Sequence, residues 1–112
     1  MNREFQSLHY SNDGYIVKCK QCRHYQLAFM CLCITIHEED FPAFRTSVAK
    51  KTMEHNTALS DQCKCIMIKT PVAGACFLLT HFEAIKLHNM LEEADVEEQT
   101  LSMLDLFNPC QE

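Results

Sequence analysis

Two cysteines three positions apart carry the clearest chemical signal in the sequence. Cys19 and Cys22 form a Cys-x-x-Cys pair, and the residues just before the pair favour a strand. A turn of this spacing at the end of a strand lets two thiolates converge on one tetrahedral Zn²⁺ ion. A structural zinc ion needs two further ligands, so the pair by itself predicts only part of a site.

A second cysteine pair offers the missing ligands. Cys63 and Cys65 open a predicted strand, and if it runs antiparallel beside the first strand, its start lies near Cys19. Cys-x-Cys is the weaker signal, because alternate side chains of a straight strand share a face but stand about 7 Å apart. His24 and His9 are further candidates. The predicted metal ligands are Cys19, Cys22, Cys63, Cys65 and His24.

The same turn supports other interpretations. Basic neighbours such as Lys18 and Arg23 favour a thiolate, which would suit a thiol-redox protein that uses Cys19 and Cys22. Thioredoxin-like motifs, however, lie at a helix N-terminus, whereas both flanks here resemble strands. The pair is otherwise two unligated cysteines in a turn. A Cys-His hydrolase lacks any family signature in the sequence.

The charge balance bears on a third interpretation, a zinc-knuckle nucleic-acid binder. The basic turn favours it, but the chain has 15 Asp and Glu against 10 Lys and Arg, for a formal net charge of -5. Nucleic-acid affinity comes largely from Lys and Arg that neutralise phosphates. Nucleic acid is therefore an unlikely partner.

Length and cysteine usage indicate one small domain in a reducing compartment. A chain of 112 residues fits a single domain, spanning 1–112. Its eight cysteines sit in a sequence with only two glycines and without the apolar core of a signal peptide, unlike a disulfide scaffold. We expect reduced thiols and a cytoplasmic protein. The longest apolar run, 27–34, is far short of the ~20 residues that span a bilayer.

The hydrophobic pattern predicts an α+β fold. Strands are expected at 15–19, 24–29, 30–36, 63–69 and 75–79, after a weakly ordered entry segment at 1–13. Helical spacing of Phe41, Phe44 and Val48 predicts a helix with an acidic first turn. Thr80 and Glu83 form a capping box that opens a second helix. A separate short acidic helix is expected at 96–107.

The two halves of the chain resemble each other, since 33–48 aligns with 76–91 without gaps. The sequence thus predicts a first ββα unit at 15–52, a second at 63–94 and a C-terminal acidic helix. The two units would form a four- or five-stranded antiparallel sheet with the helices on one face. Equally, any two ββα units look similar at this level.

The face without helices would carry mostly apolar side chains: Val17, Cys31, Cys33, Cys65 and Met67. A patch of this kind is seldom left in water. Either the C-terminal helix or a second copy covers it, and we expect a homodimer, because closed twofold pairs are the commonest oligomers.

The segments Asn12–Tyr15, Cys19-x-x-Cys22 and Gln26–Phe29, followed by an acidic helix start, resemble a family of small uncharacterised bacterial proteins known only as a domain of unknown function. The resemblance covers most of the chain. It implies a single-domain bacterial cytosolic protein and no particular activity.

Together these observations predict a small non-enzymatic binding or regulatory module with a candidate structural zinc site at the Cys-x-x-Cys turn. A protein partner is compatible with this prediction. The thiol-redox protein and the zinc-knuckle nucleic-acid binder are the alternatives.

Overall fold

The computed structural model describes residues 5–54 and 66–107. Six strands and two helices follow one another along the described chain. They are β1 (Phe5–Ser11), β2 (Gly14–Cys19), β3 (His24–Phe29), β4 (Leu32–His37), α1 (Phe41–Glu54), β5 (Ile66–Lys69), β6 (Cys76–Leu79) and α2 (His81–Phe107).

The first four strands form one antiparallel sheet in the order β1-β2-β3-β4, and β5 and β6 form a separate two-stranded hairpin. Burial alternates along β3 and β4, as expected when one face packs on a core and the other faces outward. Ile16, Leu27 and Ile34 stand in one row across the inner face. The helices α1 and α2 contact each other and the inner side of the sheets.

The core joins both sheets and both helices. Phe29 of β3 makes an edge-to-face ring contact with Phe77 of β6, with ring centroids 5.8 Å apart. The apolar positions predicted for the first helix, Phe41, Phe44 and Val48, are buried, and Ala84, Leu87 and Leu91 are buried on the second. Neither helix in the described ranges combines the length and apolar character that crossing a bilayer requires.

The α+β class and the four-stranded antiparallel sheet agree with the prediction, but the strands are divided differently. The segment predicted to be weakly ordered contains β1, which pairs with β2 on both sides of a register shift between Ser7 and His9. The 30–36 strand starts at Leu32, because Met30 has a positive φ of 58° in the turn after β3. The hairpin β5–β6 keeps its own hydrogen-bonded sheet and joins the four strands through core packing.

The helices also differ in detail from the prediction. The acidic residues before α1 precede its first turn, and the carbonyl of Asp40 accepts the first helical bond, from the N–H of Phe44 at 3.0 Å. The predicted short helix at 96–107 continues α2 without a break, since neither Gly nor Pro interrupts 81–107. The division into two ββα units stays a prediction.

The capping box is confirmed. The Thr80 hydroxyl accepts a bond from the Glu83 N–H at 3.1 Å, and the Glu83 carboxylate accepts one from the Thr80 N–H at 3.0 Å. These reciprocal bonds satisfy two backbone donors that the start of α2 would otherwise leave without a helical partner.

The β1–β2 turn depends on Gly14. A Cβ built on this residue would overlap the carbonyl oxygen of Ala28 on β3. Glycine is therefore required by close approach of the neighbouring strand.

Gly14→Ala should lower the free energy of unfolding by about 3 kcal/mol, because the strand pairing β2–β3 has to open to admit the methyl group. Gly74→Ala is the matched control: its φ is +82°, but a Cβ there meets nothing within 4 Å, so about 1 kcal/mol is expected. Urea denaturation of both variants measures the difference. Equal losses would contradict the steric account.

Candidate functional site

The β2–β3 turn holds the predicted Cys-x-x-Cys pair. Cys19 ends β2 and His24 begins β3. The Arg23 N–H donates to the carbonyl of Cys19 at 2.9 Å, and Arg23 has a φ of 61°, in the left-handed region that few residues other than glycine adopt. The turn is thus a tight one, which folds the backbone at Cys22 back toward Cys19.

A hydrogen bond to sulfur follows from this turn. The N–H of Cys22 donates to Sγ of Cys19 at 3.2 Å. Such a bond favours the thiolate, because it stabilises negative charge on sulfur. Cys19 is buried and Cys22 is exposed. The Cys22 side chain is therefore accessible to solvent, whereas the Cys19 side chain is not.

Two imidazoles extend the site across the sheet. Cys19 pairs with His24 on β3, and His24 pairs with His37 on β4. The two rings meet edge to face with centroids 5.0 Å apart. The Glu39 N–H donates to Nδ1 of His37 at 3.2 Å, so a neutral His37 carries its proton on Nε2.

Three of the predicted metal ligands, Cys19, Cys22 and His24, lie in or beside one turn, but their side chains do not form a single metal-binding group there. The other two, Cys63 and Cys65, lie outside the described residues. Within 5–54 and 66–107, no group of three or more His, Cys, Asp or Glu side chains is close enough to hold a metal ion. His9, a further candidate, instead contacts Glu93 of α2.

The sequence did not indicate His37 as a candidate ligand, because it directly precedes the acidic residues before α1. The signal that finds it is the β3–β4 register, because a short turn between two alternating strands places His24 opposite His37.

Carboxylates pair with two of the basic side chains near the turn, Lys18 and Arg23. Nζ of Lys18 lies 2.6 Å from Oε2 of Glu98 and 3.4 Å from Oε1 of Glu38. Nε of Arg23 lies 3.6 Å from Oε2 of Glu38. These pairs reduce the positive charge available to bind a phosphate.

Glu98 also fixes Tyr25, whose hydroxyl donates to Oε1 at 2.6 Å while its ring stacks on Phe41 with centroids 3.9 Å apart. Burial and the neighbouring Glu98 carboxylate raise the pKa of Tyr25. Burial lowers the pKa of Lys18, but the bonds to Glu98 and Glu38 outweigh it, so the net pKa is raised. Because both pKa values are raised in the folded chain, their contribution to the free energy of unfolding is complete below about pH 10 and is lost as the pH rises further.

Tyr25→Phe should cost about 2 kcal/mol of unfolding free energy at pH 7, because it removes a hydrogen bond to a charged acceptor. Tyrosine in the unfolded chain loses its proton above about pH 10 while Tyr25 in the folded chain retains it, so wild-type stability falls there. In the variant this alkaline fall should be shallower. Denaturation at pH 7 and pH 10.5 measures both effects.

Tyr10→Phe serves as the control, since Tyr10 is 83% exposed. A Tyr25→Phe protein that is as stable as Tyr10→Phe, with the same alkaline slope as wild type, would contradict the assigned role of Glu98.

The side of the molecule away from the helices carries an apolar surface that we call the sulfur-rich surface. Its six exposed side chains are Met30, Cys31, Cys33, Met67, Cys76 and Leu78. Leu78 is 55% exposed, and Met67 lies directly opposite it in the hairpin register. Of the residues predicted for this face, Cys31, Cys33 and Met67 are exposed, Val17 is half-buried and Cys65 lies outside the described ranges.

A groove of about 300 Å³ crosses the sulfur-rich surface where the β3–β4 turn meets β6. Met30, Cys31, Cys76 and Leu78 line it, together with the more buried Leu32 and Leu79. None of the six side chains of the surface is charged. The surface is therefore suited to an apolar partner.

Comparison with known proteins gives one match. The sequence pattern of a family described as a family of unknown function, DUF6686, matches residues 1–110. No curated protein and no solved structure matches the chain.

Proposed function

The chain belongs to DUF6686, a family of unknown function, and we propose from its own residues that it is a small binding module whose β2–β3 turn holds a structural zinc ion. The observation that carries the zinc proposal is the bond from the Cys22 N–H to Sγ of Cys19 within a tight turn. This bond would stabilise a Cys19 thiolate at the end of a strand, and zinc binds cysteine in the thiolate form.

Two ligand sets can complete the site. From the sequence, Cys63 and Cys65 supply two further sulfurs, for a four-cysteine site. From the sheet register, His24 and His37 are two imidazoles on the strands beside Cys19, and their side chains would have to turn toward the sulfur to share one ion with it. Cys19 and Cys22 belong to both sets, so variants at these two residues test the site whichever set is used.

The geometry favours zinc over the two alternatives. A thiol-redox pair at a helix N-terminus would gain from the positive end of the helix dipole, but this turn joins two strands. A nucleic-acid binder needs unpaired cations, but Lys18 and Arg23 are paired with Glu98 and Glu38.

Protein purified without a metal-affinity tag should contain about one zinc ion per chain by elemental analysis. Cys22→Ser should lose the zinc, and its melting temperature should fall, because binding of a structural metal is coupled to folding. Cys76→Ser is the matched control, since Cys76 is exposed like Cys22 but lies on β6, in the other sheet. A strong chelator should destabilise wild type and Cys76→Ser but leave Cys22→Ser unchanged.

Wild-type protein that is free of metal and insensitive to the chelator would exclude the zinc proposal. A Cys22 thiol of unusually low pKa in that protein would then support the redox alternative.

For the binding function, we propose that the sulfur-rich surface pairs with a second copy of the chain. A twofold pair brings the same patch of both copies together. Like charges in a charged patch would therefore repel each other, whereas an uncharged patch has no such repulsion. The chain has a net charge of -5, so two copies repel each other at long range. The sulfur-rich surface adds no charge of its own to this repulsion, and its groove can receive apolar side chains such as Met30 and Leu78 from the other protomer.

Light scattering coupled to size-exclusion chromatography should report a dimer for the wild type at tens of micromolar. Leu78→Glu should give a monomer, because each copy would bring a carboxylate to an apolar contact. Leu106→Glu, at a residue 78% exposed on α2, is the control and should remain dimeric. A monomeric wild type, or a dimer that persists in Leu78→Glu, would refute the pairing.

The bacterial cytoplasm is the setting that we propose. Exposed cysteines such as Cys31, Cys33 and Cys76 suit a reducing compartment, where thiols are kept from forming disulfides.

A further inference from the structure

A second cluster of reactive groups lies where α2 crosses the β1–β2 hairpin. Nε2 of His9 is 3.0 Å from Oγ of Ser11, and Nδ1 of His9 is 3.0 Å from Oε1 of Glu93. The three side chains thus form a chain from hydroxyl to imidazole to carboxylate. We propose that Ser11 is an activated nucleophile in this triad and that it hydrolyses short-chain acyl esters.

The direction of each hydrogen bond follows from the chemistry of the partners. A carboxylate only accepts, so neutral His9 carries its proton on Nδ1 and donates it to Glu93. Nε2 is then an acceptor, and the Ser11 hydroxyl donates to it. This is the arrangement in which a histidine can take the proton of an attacking serine.

Strand and helix geometry brings the groups together. His9 and Ser11 are two residues apart on β1 and share a face at the end of the strand. Glu93 comes from the adjacent helix α2. The side chain of His9 is only 12% exposed, which holds the ring in place, whereas that of Glu93 is 66% exposed.

The triad opens into a cleft of about 400 Å³. Lys86, Asn89 and Met90 of α2 line the same cleft. Lys86 and Asn89 carry N–H donors, which a developing oxyanion needs, and Lys86 also binds Oδ1 of Asp13 at 3.3 Å. The Asp13 N–H donates to Oγ of Ser11 at 3.2 Å, which favours negative charge on that oxygen.

The reaction needs only the ester and water. Oγ of Ser11 attacks the carbonyl carbon while its proton passes to Nε2 of His9. Nε2 returns the proton to the departing alcohol, which leaves the acyl group on Oγ. A water molecule then gives a proton to Nε2 and its oxygen attacks the acyl carbon. The bond from that carbon to Oγ breaks, Nε2 returns the proton to Oγ, and the acid is released with Ser11 and neutral His9 restored. Glu93 acts as a positioning residue, since it touches only His9.

The alternative is a purely structural role, in which the Ser11 hydroxyl caps the hairpin turn. A fluorophosphonate probe on the full-length wild-type chain separates the two, because such probes modify activated serines. Peptide mapping by mass spectrometry should place the label on Ser11. A label that is absent, or that maps to another residue such as Lys86, would overturn the proposal.

Hydrolysis of 4-nitrophenyl acetate gives the second readout. Ser11→Ala and His9→Ala should each lower the rate by about 100-fold, the scale of general-base catalysis. Ser7→Ala, at an exposed serine on the same strand, is the control and should retain the wild-type rate. Glu93→Gln should lower kcat and leave KM unchanged, which a purely structural role would not do.

The Ser7→Ala control and the probe label on wild type keep the test decisive even if Ser11→Ala folds poorly. Equal rates in wild type and Ser11→Ala would exclude the activity. Neither result depends on zinc binding or on dimerisation.

Discussion

The register of the four-stranded sheet is the constraint on which the other features depend. Side chains alternate between the two faces of a strand, so a slip of one residue would turn every one of them over. Close approach fixes the register at one end, where Gly14 leaves room for the carbonyl of Ala28. Turns with positive φ at Arg23 and Met30 hold it at the two following corners.

This register determines which side chains lie on each face of the sheet. Large apolar side chains such as Ile16, Leu27 and Ile36 face the helices and are fully buried. The opposite face receives Cys19, His24 and His37 in one row. The hairpin β5–β6 adds Met67, Cys76 and Leu78 to the exposed side. Coverage by helices on one side only thus leaves a sulfur-containing surface on the other, with Lys69 at its edge beside Cys76.

The acidic side chains of α2 attach this helix to the rest of the fold. Two of its carboxylates contact side chains of the sheet. Glu98 contacts Lys18 and Tyr25, and Glu93 contacts His9. Glu92 pairs with Arg45 of α1 at 2.9 Å. The acidity that the sequence concentrates near its C-terminus therefore serves in part to attach the helix. This explains why so acidic a segment can cross a sheet whose first two strands carry basic side chains.

Local signals in the sequence predicted most of the strands and the helix faces. The alternation in β3 and β4, the spacing of Phe41, Phe44 and Val48, and the Thr80–Glu83 capping box all rest on neighbours within a few residues. β1 was missed because its alternation is mostly polar, and a strand of this kind is recognised only by its pairing with β2. The contact of His9 with Glu93 joins residues 84 positions apart, and no local sequence pattern indicates it.

The central claim is that the sheet register sets Cys19, His24 and His37 side by side on the face without helices. A chain of 13.0 kDa is suited to NMR, and nuclear Overhauser effects between backbone protons of adjacent strands measure this directly. Contacts that link Cys19 to His24 and His24 to His37 are predicted. Contacts that link His24 to Lys18 or Ile36 as its direct partners would show a slipped register and contradict the account.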